Sequence, residues 1–321
     1  MANNLPGETS ILYLDQNVVR YVTNSQEDNP GVKLGMIIDK GVEIGALICP
    51  FSHEHFWESA GIGDEGKRRT QLTWLARASR GACFMNREEL LAAQLLSLVR
   101  TKIITAEDFL CEVDVAQNEI VMQQMRAMRE QRKKVDREYF LGYNLRRARG
   151  RQLKNIPREV ERVREMDVFF MGIVECIVRH LHGHGEIEDR PFGAQVLAIL
   201  INEHAVQRVE LELILERLIS TRGHCAPLIK TQSKLFESWM LEQKELAHND
   251  MMDLHRISTA LPYADILVLD GEQCRHLESV GLPAEFGAKV FSIKDASLLP
   301  LCDEIVSRIH RRIEHLASLR S

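Results

Sequence analysis

Seven acids in this chain stand where chemistry is usually done, at the ends of apolar strands and in the first turns of helices. The run Ile11-Leu12-Tyr13-Leu14 ends on Asp15 and is followed by Gln16-Asn17, while Ile266-Leu267-Val268-Leu269 is bracketed by Asp265 and Asp270. Four consecutive apolar residues are the composition of a strand buried on both faces in a parallel sheet. In such sheets ligands bind outside the carboxyl ends of the strands, so Asp15 and Asp270 are expected to share an edge. Carboxylates brought together without basic partners repel one another. A hard cation removes that cost, and Mg²⁺ or Mn²⁺ accepts such oxygens while keeping water and substrate phosphate in its remaining positions. The chemistry expected is therefore metal-assisted and directed at a phosphate.

Two helices can bring further acids. In 52-SHEHFWES-59, Ser52 suits an N-cap, and Glu54 and Glu58, four residues apart, share a face, so one of them is expected to point inward. Asp250 and Asp253 share a face in the first turn of the helix before residue 266, and Asp265 is in reserve as a strand-entry residue. Asn17 is close enough in sequence to assist Asp15. Other ligand types are weaker. His53 and His55 read as structural, and His180, His182 and His184 alternate, so they do not share a helix face. The seven cysteines are scattered, with no C-x-x-C pair, and fit reduced thiols.

The elements that must position these acids alternate at both ends of the chain. Short buried strands are expected at 11–14, 45–49, 266–269 and 289–293, separated by helical patterns at 31–42, 53–60 and 67–80. That order implies a parallel sheet with helices on its faces. The middle differs. Segments 88–102, 106–137, 157–182, 191–220 and 232–248 are long, amphipathic and poor in strand signals. The fold class expected is α/β, a parallel sheet flanked by helices, with a large α-helical insertion. Residues 1–85 and 246–321 would form the sheet-bearing domain and residues 86–245 the insertion.

With 321 residues, 45% of them hydrophobic and 27% charged, the chain has the composition of an ordinary globular protein. No apolar run is long enough for a bilayer, and the first residues, MANNLPGETS, lack the basic and apolar regions of a signal peptide, so a cytoplasmic location is expected and no membrane partner. The net charge of -5 hides a segregation. Residues 126–164 hold 14 Lys and Arg against 5 Asp and Glu, an excess of +9 in a chain that is otherwise acidic. There Arg132, Lys133, Lys134, Arg146, Arg147, Arg149, Arg151 and Lys154 are interleaved with Tyr139, Phe140 and Tyr143. Cations neutralise backbone phosphates while aromatic rings stack on unpaired bases, so this run is expected to contact nucleic acid. A partner protein, whether a second copy of the chain or a regulator, is the other occupant such a surface suits.

The stretches ILYLDQN, CPFSHEHFWE with RRTQLTWLARASRG, and NDMMDLHRISTALPYADILVLDGE resemble a PIN-like domain over roughly residues 9–85 and 246–300. PIN domains are metal-dependent ribonucleases whose acids come from distant parts of the chain. The resemblance implies an endoribonuclease using Mg²⁺ or Mn²⁺, with Asp15, Glu58, Asp253 and Asp270 as catalytic and metal-holding acids and with 5′-phosphate and 3′-hydroxyl products. RNA is favoured over DNA as substrate. A catalytically inactive PIN-like module that binds RNA or protein, and a structure-specific DNA nuclease, are the alternatives. The residue before the last acid, usually a hydroxyl residue in this family, is Leu269.

Overall fold

The computed structural model describes residues 9–23, 30–100, 110–112, 127, 158–184, 191–241, 247–293 and 295–319. They fall into two compact units, one comprising Met1–Met85, Thr105–Lys134 and Tyr263–Ser321, the other Asn86–Ile104 and Val135–Pro262.

The first unit is built on four parallel strands, β1 (Ser10–Leu14), β2 (Leu47–Ile48), β5 (Ile266–Leu269) and β6 (Lys289–Ser292), in the order β2-β1-β5-β6. The sheet and its flanking helices agree with the α/β class expected. β1 continues through α1 (Gln16–Val22) and α2 (Pro30–Glu43) to β2 on one side, whereas β5 continues through α11 (Gly271–Ser279) and α12 (Leu282–Phe286) to β6 on the other. The strand order thus reverses between β1 and β5, which is where open sheets leave a crevice at their carboxyl ends. Both strands are buried along their whole length, which is why they read as continuous apolar runs.

Register pairs Leu12 with Ile266 and Leu14 with Val268, so these four side chains share one face. They pack there with Leu34 and Ile38 of α2, Trp74 and Leu75 of α4 (Glu65–Ser79), and Leu301 and Ile305 of α13 (Asp295–Ser318). Burial of each such side chain contributes about 1.5–3 kcal/mol. Tyr13 emerges on the opposite face, where its ring lies 5.3 Å from that of His55 in α3 (His53–Ser59) and 6.0 Å from that of Phe84.

One small sheet was not foreseen. β3 (Ala82–Phe84) pairs antiparallel with β4 (Leu110–Glu112), and Phe51 bridges to Cys83 in parallel. The helical reading of 106–137 is corrected at 110–112. A three-residue strand is too short to show a period, and its partner is the only thing that marks it.

The second unit is helical: α5 (Arg87–Ser97), α6 (Arg158–Leu181), α7 (Pro191–Ala198), α8 (Arg208–Ser220), α9 (Pro227–Leu241) and α10 (His248–Ala260). α7 approaches α6 closely at Gly193, where an added Cβ would stand 2.7 Å from the Gly172 carbonyl oxygen and 2.9 Å from Cys176 Sγ. The expected single helix over 191–220 is broken. α7 widens into a π-helical turn over Ile199–Glu203, Ala205 takes a left-handed conformation with φ 49°, and α8 restarts after Gln207, whose amide donates to Glu210 Oε2 at 2.8 Å. α10 packs against α9, and the division between units falls at Pro262 rather than at residue 245.

Candidate functional site

Asp15 and Asp270 stand at the carboxyl ends of the two central strands. The Asp15 amide donates to the Val268 carbonyl oxygen at 2.9 Å, which closes the β1–β5 ladder at this edge. Asp15 is fully buried and sits at the N-cap of α1 with extended backbone (φ −61°, ψ 153°), yet its side chain makes no capping bond. Its Oδ2 accepts from Asn17 Nδ2 at 3.4 Å. Asp270 also has extended backbone (φ −75°, ψ 164°), and its Oδ1 caps α11 by accepting from the amides of Glu272 and Gln273, both at 2.9 Å. Because Leu14 pairs with Val268, Asp15 lies level with Leu269 and Asp270 stands one residue further on.

The neighbouring helix is tied to this edge by a histidine. The Ser52 amide donates to His55 Nδ1 at 2.9 Å, so Nδ1 is the acceptor nitrogen. Nε2 therefore carries the proton and donates to the Leu14 carbonyl oxygen at 2.7 Å. The buried imidazole is satisfied at both nitrogens and pins the residue before Asp15 to the start of α3. Ser52 is the N-cap position of that helix, as its sequence indicates. Of the two α3 acids, Glu54 is the buried one at 8% exposure, and no hydrogen bond or ion pair engages its carboxylate among the described residues; Glu58 is half-buried. Gln16 adds a second tie, with Nε2 donating to Ser59 Oγ at 3.2 Å and to Gln71 Oε1 at 2.9 Å.

Three of the remaining acids are committed elsewhere. Asp265 lies at the opposite, amino end of β5, where Oδ2 accepts from the Ile11 amide at 2.8 Å and Oδ1 is 3.6 Å from Arg308. Four strand residues separate it from Asp270, which at about 3.3 Å per residue takes it out of any site at the carboxyl edge. Asp250 and Asp253 belong to α10 in the helical unit. Asp250 Oδ2 accepts from the Ala247 amide at 2.7 Å, and Asp253 pairs with the buried Arg256 at 2.5 Å.

Among the described residues no group of three or more His, Cys, Asp or Glu is placed to hold a metal ion. The expected four-acid cage is therefore not preformed, and the histidines at 180, 182 and 184 make no metal site. Mg²⁺ is commonly held by only one or two carboxylates together with water and substrate phosphate, and that smaller demand is what the donor chemistry of Asp15 and Asp270 fits. Cys274 offers no nucleophile: burial first, then the charges of Asp270 and Glu278, push its thiol up to about 12.

Arg132, Lys133, Lys134, Arg146, Arg147, Arg149, Arg151 and Lys154 lie outside the described residues. A cationic cluster that the sequence pattern did not single out stands at the turn between α8 and α9. His224 is held below its ordinary value, first by burial and then by Lys230, Lys234 and Arg222, with Glu237 acting the other way. Burial and the neighbouring Lys234 likewise lower Lys230. These residues are scattered over thirteen positions and two elements, so no local charge run announces them.

Comparison of the chain with protein-family models, with curated proteins and with solved structures yields no match. No helix among the described residues is long and apolar enough to cross a membrane.

Proposed function

We propose that the sheet-bearing unit is a PIN-like endoribonuclease that hydrolyses RNA phosphodiester bonds at the edge formed by Asp15 and Asp270. The observation that carries this reading is Asp15 itself. It is a fully buried acid at an N-cap, its side chain makes no capping bond, and the adjacent central strand ends on a second acid. Two acids at the carboxyl ends of neighbouring central strands stand where an open sheet binds its ligand, and a cation between them would offset their mutual repulsion.

His55 holds the end of β1 in place through Leu14, and Asn17 orients the Asp15 carboxylate. Asp270 Oδ1 is fixed by the α11 amides, so Oδ2 is the oxygen that faces a ligand. Glu54 or Glu58 completes the acidic edge from α3. Mg²⁺ or Mn²⁺, held by Asp15 and Asp270 with the substrate phosphate, would neutralise phosphate charge and make a bound water more acidic. The cationic cluster at Arg222, Lys230 and Lys234 supports an anionic polymer as partner, and we place the activity in the cytoplasm. Products with 5′-phosphate and 3′-hydroxyl ends, and the preference for RNA, rest on the PIN-like resemblance.

A second reading is favoured by a specific observation. The described residues assemble no three-acid group, and Asp270 already serves as a helix cap. A PIN-like module that binds RNA or protein without cleaving it would need nothing more.

End-labelled RNA and DNA, single-stranded and hairpin, incubated with Mg²⁺, Mn²⁺ or EDTA, separate these readings. Cleavage of RNA that requires the cation and falls ~100-fold or more in Asp15→Asn is expected. Cation-dependent cleavage of DNA alone would assign a DNA nuclease. RNA binding without cleavage, or cleavage undiminished in both Asp15→Asn and Asp270→Asn, overturns the acidic site.

A further inference from the structure

The first unit has a polar concavity at the amino edge of the sheet. A cavity of about 580 Å³ opens between Thr9 and Ser10 at the start of β1, Asp265 before β5, and Arg308, Arg311 and Ser318 on the last turns of α13. We propose that this cavity binds a small phosphate monoester with a hydroxylated body, of the sugar phosphate class. The proposal is independent of the nuclease reading, since its residues sit at the opposite end of the strands from Asp15 and Asp270.

The donors are arranged for an oxyanion. Arg308 Nε donates to Glu304 at 2.8 Å and Nη1 to Ser10 Oγ at 2.9 Å, while Nη2 has no hydrogen-bond partner among the described residues. Ser10 Oγ accepts that bond, which leaves its hydroxyl proton to donate. Arg311 is 3.9 Å from Glu304 and makes no hydrogen bond among the described residues. Two guanidinium forks with unused N–H groups and a hydroxyl donor match the geometry of a phosphate.

A separate observation points to negative charge at this edge. Arg312, one residue after Arg311, is 8% exposed, and its Nε has no hydrogen-bond partner. Its Nη2 and Arg80 Nη1 lie 3.9 and 4.0 Å from the position a Cβ would take on Gly45, whose carbonyl accepts from Thr9 Oγ1 at 2.9 Å. No ion pair engages Arg312 among the described residues. Burying an unpaired cation is costly; Arg312 does not itself line the cavity, and an anion bound there would offset its charge across the intervening protein rather than by contact.

The rest of the lining selects the body of the ligand. Asp265 Oδ1 and the exposed Glu314 accept from hydroxyl groups, and Ser318 can donate or accept. The one aromatic ring in the lining is the half-buried imidazole of His315; no Phe, Tyr or Trp lines the cavity, so the broad face on which a nucleobase stacks best is missing. Its volume is within the roughly 300–1,000 Å³ of small-molecule sites.

The test is calorimetric titration of the full chain with ribose 5-phosphate, inorganic phosphate and AMP, repeated on Arg311→Gln and Ser10→Ala. Arg311 is exposed, so its replacement leaves the fold intact, and circular dichroism confirms this for both variants. Saturable binding of ribose 5-phosphate, at least ~10-fold weaker in Arg311→Gln and unchanged in Asp15→Asn, is the expected result. Inorganic phosphate should bind more weakly, and AMP no more tightly than ribose 5-phosphate. Absence of saturation by millimolar ribose 5-phosphate, or equal affinity in the wild type and Arg311→Gln, overturns the site. Tighter binding of AMP, or of phosphate alone, overturns the assigned class.

Discussion

Asp15 and Asp270 leave neighbouring strands with the same extended backbone, yet only Asp270 uses its side chain to cap the helix that follows. Two acids that look equivalent in sequence therefore differ in what their removal should do. Asp270 caps a helix with its side chain and Asp15 does not.

Asp270→Ala is expected to lower stability by about 1 kcal/mol, the usual cost of losing an N-cap. Asp270→Asn keeps an accepting oxygen for the Glu272 and Gln273 amides and should stay within about 0.5 kcal/mol of wild type. Urea unfolding of the two variants checks this. Equal stability of Asp270→Ala and the wild type would remove the capping role, whereas lost cleavage in a stable Asp270→Asn isolates the ligand role.

His55→Ala should be strongly destabilising. It leaves the buried Ser52 amide and Leu14 carbonyl without partners, and at about 1–3 kcal/mol for each orphaned group the loss comes to about 2–6 kcal/mol. The hydrogen bonds also require the Nε2–H tautomer, which ¹⁵N chemical shifts of the imidazole report directly. A protonated Nδ1 in the neutral ring would contradict the arrangement.

Asp253→Asn tests whether that residue has a structural task in the helical unit. Its carboxylate lies 2.5 Å from Arg256, whose side chain is only 4% exposed. Removing the charge from a mostly buried pair should cost about 2 kcal/mol or more, because it leaves a buried guanidinium short of its counter-charge. Denaturation midpoints of Asp253→Asn and Arg256→Met, alone and combined, give the coupling. Simple additivity of the two would show that the pair contributes nothing.

The start of α8 should be sensitive to acid. Glu210 is held down to about 2 by the Arg100 guanidinium and then by the Gln207 amide. A carboxylate depressed in the folded state stabilises it fully above the unfolded value near 4.5, and that contribution is lost as pH falls from there toward 2. Arg100→Met should therefore flatten the dependence of the urea midpoint on pH between about 4.5 and 2. An unchanged acid limb would show that the bond does not form in solution.

The central strands were legible from sequence because burial on both faces forces a continuous apolar run, and the run itself ends on the residue of interest. Asp15, Asp270 and the Ser52 start of α3 follow from such local signals. What the local pattern could not reveal depends on partners far away in the chain. Asp265 stood in reserve as a strand-entry residue, and only the Ile11 amide, 254 residues distant, shows what its carboxylate does at that end of the strand. Glu54 and Glu58 share one helical face, and only the packing of α3 decides that Glu54 is the buried one. His55 gave no sign that it would hold the end of β1, and β4 is too short to announce itself without β3. The periodicity of a segment records which of its faces is buried; which residues meet there is decided by register and packing between segments, and those exist only once the chain has folded.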